Sequence, residues 1–261
     1  MTDRLRQVAV ILTVLATLVI NGLANALPIN GLNTGQISGR FQVYCVPVGY
    51  AFSIWGVIYL GLIAFAAFQA LPSQRENPRL RATGGWICLG GLANSSWIFL
   101  WHYEQFLLTL IAMWVLLATL IITYLRLGTG RTAAPTAETW LARLPFSIYL
   151  GWITVATVAN VTAVLAYLKW DGFGIAPEIW MAMVLAVVGV IAALMNFTRR
   201  DVAYALVILW GLAGIGVKHA TVAVVVVPTC IAFGGVALSL AAAFVLSRAK
   251  RNAPQRAGTR S

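Results

Sequence analysis

Three apolar stretches of this chain carry indole and carboxamide side chains at helical spacing. In "LANSSWIFLWH", residues 92–102, Asn94, Trp97 and Trp101 stand at i, i+3 and i+7, which puts them on one helical face. "PFSIYLGWITVATVANV", residues 145–161, aligns Tyr149, Trp152, Ala156 and Asn160 in the same way, and "YAFSIWGVIY", residues 50–59, brings Phe52, Trp55 and Tyr59 together. An indole offers a flat apolar face and one N–H donor, and an amide offers donor and acceptor without charge. Such a set can hold a flat, largely apolar molecule and satisfy its few polar atoms. The alternative is helix packing, because amides in membrane bundles also hydrogen-bond between helices at about 0.6 kcal/mol each. Spacing alone leaves cavity and packing both open.

The elements that must position these rows are membrane helices. The chain has 261 residues, of which 61% are apolar and 10% charged, with a mean hydropathy of +0.86; no water-soluble core absorbs that much apolar surface. A barrel strand alternates over about 10 residues, whereas "IWMAMVLAVVGVIAALM" is apolar on every side. The reading is therefore all-α, a polytopic bundle of eight spans near residues 8–27, 49–71, 84–101, 105–125, 145–168, 178–197, 202–217 and 220–246. The seventh is short, and only Lys218-His219 parts it from the eighth, so the two read as a tight hairpin or one broken helix. Trp97 and Trp152 lie deeper than an interfacial belt, where Trp86, Trp170 and Trp180 belong.

Basic residues orient the bundle. With the N-terminus inside, 15 of the 18 Lys and Arg face the cytoplasm, leaving Arg40, Lys169 and Lys218 outside. Both termini are expected in the cytoplasm. The net charge of +11 is spread along one membrane face and the tail 248–261, which suits anionic lipid headgroups rather than nucleic acid. The first span also resembles a signal peptide, with Ala24-Asn25-Ala26 as a small-x-small site, but its apolar run is long for that role and it is expected to be retained.

Hydrolytic, redox and nucleotide-dependent chemistry lack their usual signatures. No P-loop, Rossmann glycine pattern, HExxH or GxSxG occurs. Cys45, Cys88 and Cys230 are far apart and predict neither metal site nor disulfide; His102 and His219 sit at span ends, where capping or interfacial roles are expected. The seven acidic residues, Asp3, Glu76, Glu104, Glu138, Asp171, Glu178 and Asp201, all fall in loops or at span ends, and none is expected to be buried. Lys218 is the one candidate for a charge inside the membrane, and a snorkelling interfacial lysine is the preferred reading. The outer loop 28–47, rich in Gly and Asn, is expected to fold over the bundle mouth. On the inner side, "AETWLAR" within 127–144 predicts an interfacial helix anchored by Trp140.

The ordered motifs give a resemblance. Pro47, Trp55 and Tyr59, then Asn94 and Trp97, then Trp152, Ala156 and Asn160 resemble the Pro, Trp and Tyr of the second helix, the Asn-x-x-Trp of the third and the Trp-x3-Ala-x3-Asn of the fifth in the TspO/MBR group. These are the tryptophan-rich sensory proteins related to the mitochondrial translocator protein. The pattern departs at Tyr44, which lacks a second nearby Pro, at Gly90, where the family usually has Gln, and at Pro145-Phe146, displaced by about one turn. The resemblance covers about 1–168 and implies a five-helix bundle around a pocket for tetrapyrroles, sterols or related hydrophobic ligands, often as a homodimer. It implies Trp55, Tyr59, Asn94, Trp97, Trp152 and Ala156 as pocket residues; the aromatic rows add Trp101, Tyr149 and Asn160. Spans within 169–247 lie outside it and read as packing helices, followed by the basic tail 248–261.

The expected function is a membrane ligand-binding or sensory protein, located in a bacterial inner membrane, whose partners are a hydrophobic small molecule and membrane lipids. A tetrapyrrole is the cofactor the resemblance suggests. The alternatives are a small-molecule transporter, weakened by the absence of buried charge or an evident repeat, and an enzyme acting on a lipid-soluble pigment, for which no acid–base pair is visible.

Overall fold

The computed structural model describes residues 2–27 and 29–252. Eight long helices follow one another, α1 (Asp3–Ala26), α2 (Ile54–Ala70), α3 (Pro78–His102), α4 (Phe106–Arg126), α5 (Leu144–Tyr167), α6 (Pro177–Arg199), α7 (Val202–Lys218) and α8 (Ala223–Asn252). A short helix, Thr34–Gly39, lies in the first outer connection, and α2 is entered through the 3-10 turn Gly49–Ser53. Among the described residues six segments are long and apolar enough to cross a membrane. Of the two long helices outside that set, α7 has 17 residues and α3 opens on "PRLRATGG". The protein is a polytopic membrane bundle.

The outward faces show what surrounds it. Leu12, Leu15 and Val19 on α1, Val187, Val190 and Leu194 on α6, and Ile231, Leu238 and Val245 on α8 are exposed large apolar residues at helical spacing. Water would make this arrangement costly, whereas acyl chains match it.

Helix ends follow local chemistry. Asn77 caps α3 by accepting from the N–H groups of Arg79 and Leu80, with Pro78 at the first helical position. That cap starts α3 six residues before the hydropathy pattern does. Asp201 caps α7 through the N–H of Tyr204 at 3.1 Å, and Arg200 turns the chain out of α6 with a left-handed φ of 54°. The seventh and eighth spans are thus separate helices joined by residues 219–222. The segment 136–143 is a short α-helix running into a π-helical turn that leads into α5, with Trp140 exposed.

Packing places α5 at the centre, against α2, α4 and α7; α3 fills the space between α1 and α4, and α8 closes on α6 and α7. Small residues make the close approaches possible. A β-carbon added to Gly91 on α3 would sit 2.3 Å from Thr13 Cγ2 on α1, and one on Gly211 of α7 would sit 3.0 Å from Val155 Cγ2 on α5.

At one end of the bundle the basic loops are tied to the helices. Arg6 is buried and its Nη2 donates to the Arg75 carbonyl at 2.8 Å, while Gln7 and Gln69 exchange side-chain to backbone hydrogen bonds at 2.7 and 3.1 Å. Here the expectation of no buried acid is corrected. Glu138 is buried and accepts from Arg79 at 2.9 Å, with Arg143 at 3.3 Å. Asp201 is buried beneath Tyr124, whose hydroxyl donates at 2.8 Å, and Ser147, which also donates to it. Both sit at helix ends, as the sequence places them, but loops and neighbouring helices cover them. Each carboxylate is tolerated because several donors replace its water.

Gly91→Val should lower bundle stability by about 1–3 kcal/mol, the usual range for overpacking, read as a fall in unfolding temperature in detergent. Gly22→Ala, where an added β-carbon meets nothing within 4 Å, should leave that temperature unchanged or slightly raised.

Candidate functional site

The aromatic rows of α2, α3 and α5 surround a cavity of about 540 Å³ in the half of the bundle away from the basic loops. Of the nine candidate residues, Trp55, Tyr59, Asn94, Trp97, Trp101, Trp152, Ala156 and Asn160 line it; Tyr149 does not. Tyr149 stands behind the wall, fully packed, and accepts a hydrogen bond from Asn94 Nδ2 at 2.9 Å. The rows are therefore neither turned to lipid nor collapsed onto one another.

Aromatic contacts hold the walls apart. Trp152 is 1% exposed and meets Phe52 edge-to-face at 5.6 Å and Trp55 at 6.4 Å. Trp55 in turn stacks on Tyr59 at 5.6 Å and meets Tyr149 edge-on at 5.9 Å. On the opposite wall Trp97 and Trp101 stack at 5.2 Å with an interplanar angle of 16°. Phe106, at the start of α4, takes the edge of Trp101 at 5.3 Å. These offset and edge-on geometries are the favoured ones for aromatic pairs, at about 0.5–1.5 kcal/mol each.

The amides are organised in two junctions. Asn21 Nδ2 on α1 donates to Asn94 Oδ1 on α3 at 2.6 Å, and Asn94 Nδ2 passes the chain on to the Tyr149 hydroxyl of α5. On the other side, Asn160 Nδ2 donates to Thr109 Oγ1 of α4 at 2.9 Å, and its Oδ1 accepts from the Trp97 indole at 3.4 Å. The same amides that pin the helices also line the hollow.

Residues outside the rows complete the enclosure. Asn21 and Asn25 of α1, and Asn33, Thr34 and Ser38 of the first outer connection, also line it. The sequence marks the Gly- and Asn-rich loop as a cover, and the short helix Thr34–Gly39 does lie over the mouth. It is anchored by His102, which is 1% exposed. His102 Nδ1 lies 3.1 Å from the Ile29 carbonyl, which only accepts, so Nδ1 carries a proton, and Nε2 pairs with Thr34 Oγ1 at 3.0 Å. Asn30 donates to the His102 carbonyl at 3.1 Å, Trp101 Nε1 to the Thr34 carbonyl at 3.3 Å, and Arg40 pairs with Glu104. Asn21 and Asn25 had a readable signal, being i, i+4 amides in the apolar C-terminal half of α1.

Lys218 closes the rim. Its Nζ donates to the Val46 carbonyl at 3.1 Å, and among the described residues it is the one charged side chain around the cavity. Beside it, burial and the Lys218 charge hold the His219 imidazole below its usual range, against an opposing backbone hydrogen bond to Tyr44. Tyr44 donates to Glu178 at 2.9 Å, which holds its hydroxyl proton above the ordinary range. The three cysteines are free.

Residues 7–245 match the model of the TSPO-like protein family, and the chain belongs to that family. The match runs through α6, α7 and α8, beyond the five helices that carry the sequence resemblance. Neither a curated protein nor a solved structure matches the chain.

The Asn94–Tyr149 bond should be measurable as a coupling. In an Asn94→Ala, Tyr149→Phe double-mutant cycle on detergent-solubilised protein, unfolding should report about 0.5–1.7 kcal/mol of interaction, the range for interhelical hydrogen bonds in membranes. A coupling of zero would mean that this hydrogen bond contributes nothing to holding α3 against α5.

Proposed function

We propose that this TSPO-like membrane protein binds a flat hydrophobic small molecule, of tetrapyrrole, sterol or isoprenoid type, in the hollow between α1, α2, α3, α4 and α5, and serves as a ligand-binding or sensory protein. The observation that carries the reading is the cavity itself. Four indoles, Trp55, Trp97, Trp101 and Trp152, surround about 540 Å³ with amides at intervals, a size and lining suited to a small ligand. Apolar walls supply the transfer free energy, and Asn21, Asn94 and Asn160 can exchange hydrogen bonds with a ligand's few polar atoms. Tyr149 acts through Asn94, fixing its orientation rather than touching the ligand.

The membrane placement completes the reading. The basic loops gathered around Arg6, Arg79, Arg126, Arg143 and Arg199 face the cytoplasm together with both termini, and the cavity mouth faces the opposite side, as expected for a multi-pass protein of a bacterial inner membrane. The tail residues 253–261 lie outside the described structure. A ligand reaches the site from the outer leaflet or the aqueous face beneath the short helix Thr34–Gly39. A homodimer through lipid-facing helices is compatible with this arrangement.

Binding is tested by titrating purified protein in nanodiscs with a porphyrin, a sterol and an isoprenoid alcohol, following quenching of tryptophan emission. At least one should bind at micromolar concentration or better. Trp152→Ala, which removes a buried ring touching both Phe52 and Trp55, should weaken it by tenfold or more, about 1.4 kcal/mol or greater; Trp140→Ala, on an exposed inner-face residue, should not. No binding by any of the three, or equal binding in both variants, would overturn the proposal. Sealed vesicles test the transporter alternative, which predicts ligand accumulation and not saturable binding alone.

A further inference from the structure

We propose that the rim of the cavity is an anion subsite in which Lys218 reads a carboxylate on an otherwise apolar ligand. The proposal rests on the cavity being a ligand site and adds which chemical class it prefers. Among the described residues no acidic side chain lines the hollow, and Lys218 is the single charge that does. The ammonium has three donors, of which the Val46 carbonyl takes one, and it forms no ion pair within the described residues. Glu178 is engaged by the hydroxyl of Tyr44, whose ring meets His219 edge-on.

Placement decides what such a ligand looks like. Val48 N–H donates to the Gly214 carbonyl and Trp210 Nε1 to the Ala51 carbonyl, so residues 46–52 run down α7 from the rim to the indole walls. Val207 of α7 lies beside Gly151, the neighbour of Trp152. Eleven residues of helix separate Val207 from Lys218, a rise of about 16 Å. A rigid polycycle packed on Trp55 and Trp152 therefore reaches Lys218 only if its carboxylate sits on a short flexible arm. A neutral polycycle fills the same walls and leaves the ammonium to water.

The test uses two probes with the same body, 1-pyrenebutyric acid and its methyl ester, titrated into the full-length protein in neutral phosphatidylcholine nanodiscs. The acid should bind about fivefold more tightly than the ester, the scale of a partly exposed charge pair. Lys218→Met should remove that preference, the acid and the ester then binding alike, and Lys218→Arg should keep it. Raised salt should shrink the preference in the parent protein and leave Lys218→Met unaffected. The same three proteins and two probes in discs containing anionic phosphatidylglycerol separate two sources of the anion. A Lys218-dependent preference that persists assigns the subsite to the free acid. One that vanishes only there, because headgroups occupy Lys218, overturns the small-ligand assignment. If both probes bind equally to the parent protein, the subsite is wrong and the cavity reading stands. If neither binds, the subsite proposal is overturned, and the cavity reading stands or falls with the porphyrin, sterol and isoprenoid titrations.

Discussion

The amide of Asn94 is the junction on which the arrangement depends. In hydrocarbon a carboxamide must find its partners within the protein, and this one finds them on two other helices, Asn21 of α1 and Tyr149 of α5. Those two bonds fix the rotation of α3 about its axis. Once that rotation is fixed, Trp97 and Trp101, three and seven residues on, must point the same way. The stacked indole pair faces the hollow because the amide is tied on either side of it.

A hollow in a membrane bundle needs an explanation, since packing normally closes such spaces. Here each large ring already has a partner that holds it back from the centre. Trp152 is gripped between Phe52 and Trp55, Trp101 between Trp97 and Phe106, and Asn160 is held towards α4 by Thr109. Collapsing the space would exchange these edge-on and stacked contacts for others while leaving amides without partners. The bundle keeps its cavity by pairing its rings and amides locally, while the buried Trp152 Nε1 has no hydrogen-bond partner among the described residues.

The helical class, the eight helices and the faces that meet were legible because periodicity in an apolar chain is a direct consequence of helical geometry. Spacing put Trp55, Trp97 and Trp152 on shared helical faces with their neighbouring aromatic and amide residues, but could not say whether those faces meet in a hollow or pack together. Three things were less legible. Tyr149 shares a helical face with Trp152, yet Asn94 draws its hydroxyl behind the wall, a distinction that a 100° periodicity does not resolve. Glu138 and Asp201 read as loop acids because hydropathy follows the chain, whereas their burial comes from residues 59 and 77 positions away, Arg79 and Tyr124. Asn21 and Asn25 fell within a stretch that also fitted a targeting segment, which drew the reading away from their amide chemistry.

The helices beyond the sequence resemblance are not spectators to the cavity. Gly211 and Gly151 let α7 approach α5 closely, and Gly214 does the same for Pro47 and Ala51. That contact, with the Trp210 and Val48 hydrogen bonds, holds residues 46–52 against the wall from which Phe52 supports Trp152. The shortness of α7 matters here, because a longer helix would carry Lys218 past the rim instead of ending at the Val46 carbonyl. A family match that runs through α8 is therefore consistent with the physics: α7 shapes one side of the mouth, and α6 and α8 pack around α7 to keep it there.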